Sequence, residues 1–173
     1  MQPTIVRLSA TELTASAKAL ATLLVDVVHT GDSVGFLSSL DADAATTWWE
    51  GLAPAVDAGD ILIWVARDGD EILGTVQLKP VGMPNSAHRA EIAKLMVHSG
   101  ARGRGLGRRL LAAAERCASE AGRTLLILDT ETGSPAEGFY RTGGWTEVGK
   151  VPAYAADPAG ELRSTTFFYK QLT

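Results

Sequence analysis

A glycine-rich turn between a strand-like run and an amphipathic helix constrains this chain more than any other feature. The turn is Arg102-Gly103-Arg104-Gly105-Leu106-Gly107. Before it runs Ala90-Glu91-Ile92-Ala93-Lys94-Leu95-Met96-Val97, apolar enough to lie in a sheet. After it, Leu106, Leu110, Leu111, Ala114, Cys117 and Ala121 recur at the spacing of one helical face. Strand, tight turn and helix in that order gather unpaired backbone N–H groups at the helix mouth, where a phosphate or pyrophosphate can sit. Glycine permits the φ values and the close backbone approach that such a socket needs. Arg102, Arg104, Arg108 and Arg109 add positive charge. A phosphorylated cofactor is expected here.

The rest of the chain supplies a sheet for this unit to join. Ile5-Val6-Arg7-Leu8 reads as an edge strand. Residues 11–28 read as a helix capped by Thr11, with Leu13, Ala17, Leu20, Leu24 and Val27 on one face. A loop rich in small residues, His29-Thr30-Gly31-Asp32-Ser33-Val34-Gly35-Phe36, leads to a second helix over 41–58 with Trp48 and Trp49 near its middle. Asp68-Gly69-Asp70 between two apolar runs predicts a hairpin. Leu125-Leu126-Ile127-Leu128, apolar throughout, predicts a central strand covered on both faces. Ser134-Pro135-Ala136-Glu137 has the residue types that open a helix, which carries Phe139 and Tyr140. Residues 145–148 and 162–169 would close the sheet, joined by a loop through Pro152, Tyr154 and Pro158. The expectation is one α/β domain over residues 1–173 with a mixed sheet.

Composition narrows the partners. At 173 residues and 46% hydrophobic content, the chain can bury one core and is not disordered. No apolar run is long enough to span a membrane, and Met1-Gln2-Pro3-Thr4 lacks the basic and apolar regions of an export signal. With one cysteine there is no internal disulfide, which suits the reducing cytoplasm. The three histidines and the cysteine have no metal-ligand spacing, so no metal is expected. The net charge of -4 conceals a polarity: no Lys or Arg falls between Lys18 and Arg67, whereas eight lie between His88 and Arg123. Basic charge around the turn fits an anionic cofactor, and the acidic first third fits a cationic acceptor. There is no broad basic stripe or motif for nucleic acid.

A P-loop needs Lys and then Ser or Thr after its glycines, and here Gly107 is followed by Arg108-Arg109. A nicotinamide fold needs its glycines after an early strand, whereas this turn follows several antiparallel-looking ones. Elimination leaves a nucleotide-containing cofactor such as coenzyme A. The pattern Arg102-x-x-Gly105-x-Gly107 after Lys94-Leu95-Met96-Val97 resembles the pyrophosphate-binding motif of the GCN5-related N-acetyltransferases (GNAT). Ala136-Glu137-Gly138-Phe139-Tyr140 followed by Gly143-Gly144-Trp145 is similar to that family's second recurring stretch. Within the family, the loop 29–36, the strand 91–97 and Leu128-Asp129-Thr130-Glu131-Thr132-Gly133-Ser134 resemble the tabtoxin resistance branch.

The resemblance implies a twisted, mixed, mostly antiparallel sheet flanked by about four helices. It also implies acetyl transfer from acetyl-CoA to a primary amine of a small molecule by direct attack in a ternary complex. Leu95, Met96 and Val97 would run beside the pantetheine arm, an N–H of Met96 or Val97 meeting the thioester carbonyl. Arg102, Gly103, Arg104, Gly105, Leu106 and Gly107 would hold the pyrophosphate, with Arg108 close by. Tyr140 stands where the family has its proton donor to the thiolate; the plainer alternative is a packing ring. Either Glu91 or Asp129 would deprotonate the amine through water or simply pair with its positive charge, with Asp129 expected to be partly desolvated after four apolar residues. Otherwise Glu91 pairs with Arg89 or Lys94, and Asp129 accepts local hydrogen bonds. His29, Ser33, Phe36 and Trp49 are expected around the acceptor, with Phe36 or Trp49 as an apolar wall. Acetylation of protein or peptide amines, and a non-catalytic acyl-CoA-binding module, remain the competing functions. A homodimer is compatible with all of them.

Overall fold

The computed structural model describes residues 2–173. Strands β1 (Thr4–Arg7), β2 (Leu62–Asp68), β3 (Glu71–Pro80), β4 (Arg89–Val97), β5 (Leu125–Glu131), β6 (Thr146–Ala156) and β7 (Leu162–Gln171) form one sheet of order β1-β2-β3-β4-β5-β7-β6. Among the described residues only the β4–β5 pair is parallel, so the sheet is mixed and mostly antiparallel, as expected. Helices α1 (Ala10–His29), α2 (Ala42–Glu50) and α3 (Ala53–Asp57) precede β2; α4 (Leu106–Glu120) follows β4 and α5 (Pro135–Thr142) follows β5.

Two apolar layers sandwich the sheet. Leu13, Leu20, Leu24 and Val27 of α1 pack with Trp49 of α2 on Ile63, Val65 and Met96. On the other face, Leu106, Leu110 and Ala114 of α4 meet Val76, Leu78, Ile92, Leu126 and Leu128, and Tyr140 and Phe168 extend that layer. The α1–α2 layer stops short of β5, so this strand is not covered on both faces as its apolar run predicts. Leu126 and Leu128 are buried, while Leu125 and Ile127 on the other face are only half-buried. That half-open face is where the candidate acids stand.

Local chemistry moves other boundaries. Ser9, not Thr11, caps α1: its hydroxyl accepts from the Glu12 N–H at 3.2 Å and Glu12 returns a bond to the Ser9 N–H at 2.7 Å. The expected second helix is two, divided at Gly51-Leu52, with Pro54 in the first turn of α3. Strand β6 runs through Pro152 to Ala156 where a loop was expected; it is an edge strand, and proline's missing N–H costs little there.

Candidate functional site

The site begins as a fault in β4. Gln77 lies opposite Ala93 and Thr75 opposite Met96, so Lys94 and Leu95 both face the single residue Val76. This is a β-bulge, with Lys94 at φ 50°. It reverses the alternation: Ile92 packs under α4, yet Met96, four residues on, packs under α1. It also coincides with a parting of strands. β4 pairs with β5 only over Arg89–Glu91 against Leu125–Ile127, after which β4 follows β3 and β5 follows β7. Because the His98 N–H donates to Leu73 on β3 at 2.9 Å, antiparallel alternation turns the Val97 N–H toward the opening.

Below the opening lies the glycine turn. Gly103 and Gly105 both sit at φ 76°, and a Cβ built on either meets nothing within 4 Å. Gly105 is the N-cap of α4 and supplies no side-chain cap, so the first amides of a 15-residue helix are left for a ligand. Gly107 instead serves packing. Its Cα hydrogens face Phe139 and Val97, and a Cβ there would come within 3.6 Å of the Phe139 ring. Leu106 is buried. The arginines are less uniformly available than the sequence suggests. Arg102 donates to Asp32 at 2.6 Å and to the Val97 carbonyl at 3.2 Å, strapping the α1–α2 loop to the turn. Arg108 lies 5.5 Å from the Phe139 ring centroid and donates to Thr142 at 3.3 Å, and Arg109 donates to the Pro3 carbonyl at 2.8 Å. Arg104 is exposed and, among the described residues, has no ion-pair partner. An open amide mouth beside a free guanidinium fits a diphosphate.

Tyr140 approaches from the α4–α5 side. Its ring is 6% exposed and packs edge-on to Phe139 and Trp145, with centroids at 5.3 and 5.8 Å. Burial raises its pKa above the ordinary tyrosine value, and the negative charge of Asp129 adds to the rise. The hydroxyl is therefore protonated at neutral pH. Helix α5, which carries it, is fixed by Glu137. That carboxylate accepts from the Gly133 N–H at 2.9 Å, the Thr166 hydroxyl at 2.7 Å and Arg141 at 3.1 Å.

Glu91 and Asp129 share the opposite face. Glu91 pairs in register with Lys79 on β3 and Ile127 on β5, and Asp129 follows Ile127 by two residues. Glu91 is half-buried, and neither Arg89 nor Lys94 forms an ion pair with it. Asp129 is exposed rather than desolvated, and it accepts from the Thr165 hydroxyl at 2.8 Å. The apolar run before it is fully buried only on the other face. Phe36 is half-buried and meets Trp48 edge-on at 5.0 Å. The expected wall residue Trp49 is 0% exposed inside the α1–α2 core, so Trp48 is the tryptophan that faces this region. His29 is exposed at the end of α1 and lines a cavity of about 320 Å³ with Ser38, Asp157 and Pro158, away from Glu91 and Asp129. Ser33 is half-buried in the same loop. The residue that sequence reasoning missed is Lys94, whose Nζ lies 5.9 Å from the Trp48 ring centroid. It stands inside the apolar run that precedes the turn, but nothing in a linear reading marks a bulge.

Residues 59–147, just over half of the chain, match a family model described as an acetyltransferase (GNAT) domain. Solved structures share the whole fold. A ribosomal-protein-alanine N-acetyltransferase from Brucella melitensis is 24% identical, covering 98% of this chain and 99% of its own, with a TM-score of 0.75. An N-acetyltransferase from Staphylococcus aureus Mu50 is 15% identical over 100% of both chains, at 0.79. The yncA protein from Salmonella typhimurium, solved with its cofactor acetyl-CoA, is 19% identical over 100% of this chain and 95% of its own, at 0.74.

Proposed function

Because this chain belongs to the acetyltransferase (GNAT) family, we propose that it transfers acetyl from acetyl-CoA to the primary amine of a small, amino-acid-like molecule. The observation that carries this reading is the opening between β4 and β5 above an uncapped helix mouth. When bound, acetyl-CoA supplies an acyl group activated as a thioester; the related yncA protein was solved with it. The amides following Gly103 and Gly105, with Arg104, hold the diphosphate, while Arg102 contributes chiefly by bracing the turn. Leu95, Met96 and Val97 flank the pantetheine arm, and the Val97 N–H is the donor to the carbonyl oxygen. Gly107 and Arg108 seat α4 against α5, and Leu106 anchors its first turn in the core.

On the acceptor side, the carboxylates of Glu91 and Asp129 attract the incoming ammonium, and one of them, directly or through water, takes the proton that leaves. Asp129, held by Thr165 at 2.8 Å and electrostatically coupled to Tyr140, is the better-oriented base. The Tyr140 hydroxyl holds the proton for the departing thiolate. Its ring, packed edge-on against Phe139 and Trp145, holds the hydroxyl in place for that role. Phe36 lines the acceptor region with Trp48 and Ser33 borders it, while His29 lines a different cavity. Residues 1–173 act together as one transferase unit. The sequence likeness to the tabtoxin resistance branch supports an amino-acid-like acceptor.

A second reading, acetylation of a peptide amine, is favoured by the exposure of Asp129 on β5, where the α1–α2 layer has ended. Both readings are tested by amine-dependent thiol release from acetyl-CoA across amino acids, aminoglycosides, polyamines and peptides. Turnover confined to peptides replaces the first reading by the second. No amine-dependent release in any class, with no calorimetric binding of acetyl-CoA, rejects both in favour of a different ligand. The homodimer is supported by Val148, Tyr154 and Leu162 exposed on and beside the outer strand β6, and sedimentation checks it.

A further inference from the structure

The bulge that opens β4 also carries a cation without a counter-charge. Lys94 is half-buried at a positive φ, a conformation that lysine rarely adopts. Its Nζ lies over Trp48, and a Cβ on Gly35 would stand 3.5 Å from it. Among the described residues, no carboxylate lies within 4.0 Å of the Lys94 or Lys79 ammonium groups. Burial lowers the pKa of Lys94, and the like charge of Lys79 lowers it further; Glu91 and Asp129 only partly offset them. On the same face of β3, two residues before Lys79, the Gln77 amide nitrogen is buried without a hydrogen-bond partner. Two ammonium groups and an amide therefore stand without an acceptor, beside two carboxylates that await a cation. A half-buried charge without a partner is costly unless a ligand supplies the opposite sign.

We propose that Lys94, backed by Lys79, seats a carboxylate of the acceptor and thereby selects amines that carry one. The two lysines draw the anionic end of a zwitterion while Glu91 and Asp129 draw its ammonium. A plain alkylamine or a polyamine leaves the lysines unsatisfied. This assignment rests on the transferase reading above and names the determinant of its acceptor class.

The test compares acceptors that differ only by a carboxylate: phenylalanine with phenethylamine, histidine with histamine, tryptophan with tryptamine and lysine with cadaverine. In the intact protein with acetyl-CoA, the carboxylated member of the productive pair is expected to have the higher kcat/KM, by about 10- to 100-fold, the range of one charge-assisted hydrogen bond. In Lys94→Met that ratio collapses toward one, in Lys94→Arg it is largely restored, and in Lys79→Met it falls partway. Thermal melting checks that each variant is folded, and Lys79→Met carries the test if Lys94→Met is not. Equal turnover of both members, or a ratio that Lys94→Met leaves unmoved, overturns the assignment while the transferase reading stands. Absence of thiol release with every amine overturns both, and a preference restricted to peptide N-termini replaces the carboxylate with a backbone partner.

Discussion

The glycine turn and the face around Lys94 lie on two sides of one kink and are built in opposite ways. At the turn, recognition is a matter of main chain. Gly103 and Gly105 set the path, α4 has no side-chain cap, and three of the four arginines are occupied elsewhere. Around Lys94, recognition is a matter of side chains gathered from β3, β4, β5 and α2. The first arrangement suits a ligand that every relative shares, because amides do not change with the residue. The second suits a ligand that differs between relatives, because one substitution alters it.

The sharpest way to break this contrast lies between the two regions, at Tyr140. Tyr140→Phe is expected to lower kcat by about 100- to 10,000-fold, the usual range for a positioned proton donor. Stability should hardly change, since the packed ring remains. A variant as fast as the parent makes Tyr140 a packing residue only. Next comes Gly105→Val. A branched side chain at φ 76° costs about 1–2 kcal/mol or forces the turn to move. Either response should weaken acetyl-CoA binding at least about tenfold by calorimetry, a loss of roughly 1.4 kcal/mol. Undiminished affinity would contradict a main-chain site.

Glu137→Gln tests the support of α5 and is expected to cost about 1–2 kcal/mol, because hydrogen bonds to an ionised acceptor are lost. The Thr166 hydroxyl, and after it the Gly133 N–H, hold the Glu137 pKa below the ordinary 4.5. Its contribution is therefore complete above that value and is lost as pH falls through the lowered one. The variant's stability should accordingly depend less on pH on the acid side, which melting curves between neutral and acid pH will register. The smallest effect belongs to Arg102→Ala. Its ion pair with Asp32 is over 40% exposed on the arginine side, so melting should report less than about 1 kcal/mol. Cofactor affinity should fall less than in Gly105→Val; the reverse order would return the leading role to the guanidinium.

The same contrast explains what could be read from the sequence. The turn, the helix after it and the β2–β3 hairpin are legible because glycine placement and apolar periodicity are local signals. The cap lies at Ser9 instead of Thr11 because either hydroxyl suits the position and only the reciprocal bond with Glu12 decides. Apolar β5 reads as doubly covered because a sequence does not say where the α1–α2 layer ends. The adjacent Trp48 and Trp49 differ only in direction, and helix packing alone sends Trp49 into the core. Asp129 is legible as a candidate acid, but its exposure is not, for the same reason as the cover of β5. Lys94 gives no linear signal because its importance comes from a register shift with β3, a property of two strands together.

That shift has a consequence for the length of the chain. With Lys94 removed, Ala93, Leu95 and Met96 would oppose Gln77, Val76 and Thr75 one for one, and Leu95 and Met96 would keep the layers they now occupy. A deletion of this single codon should therefore yield a sound scaffold whose healed ladder no longer admits a guest. The fold can spare that amino acid; the vestibule cannot.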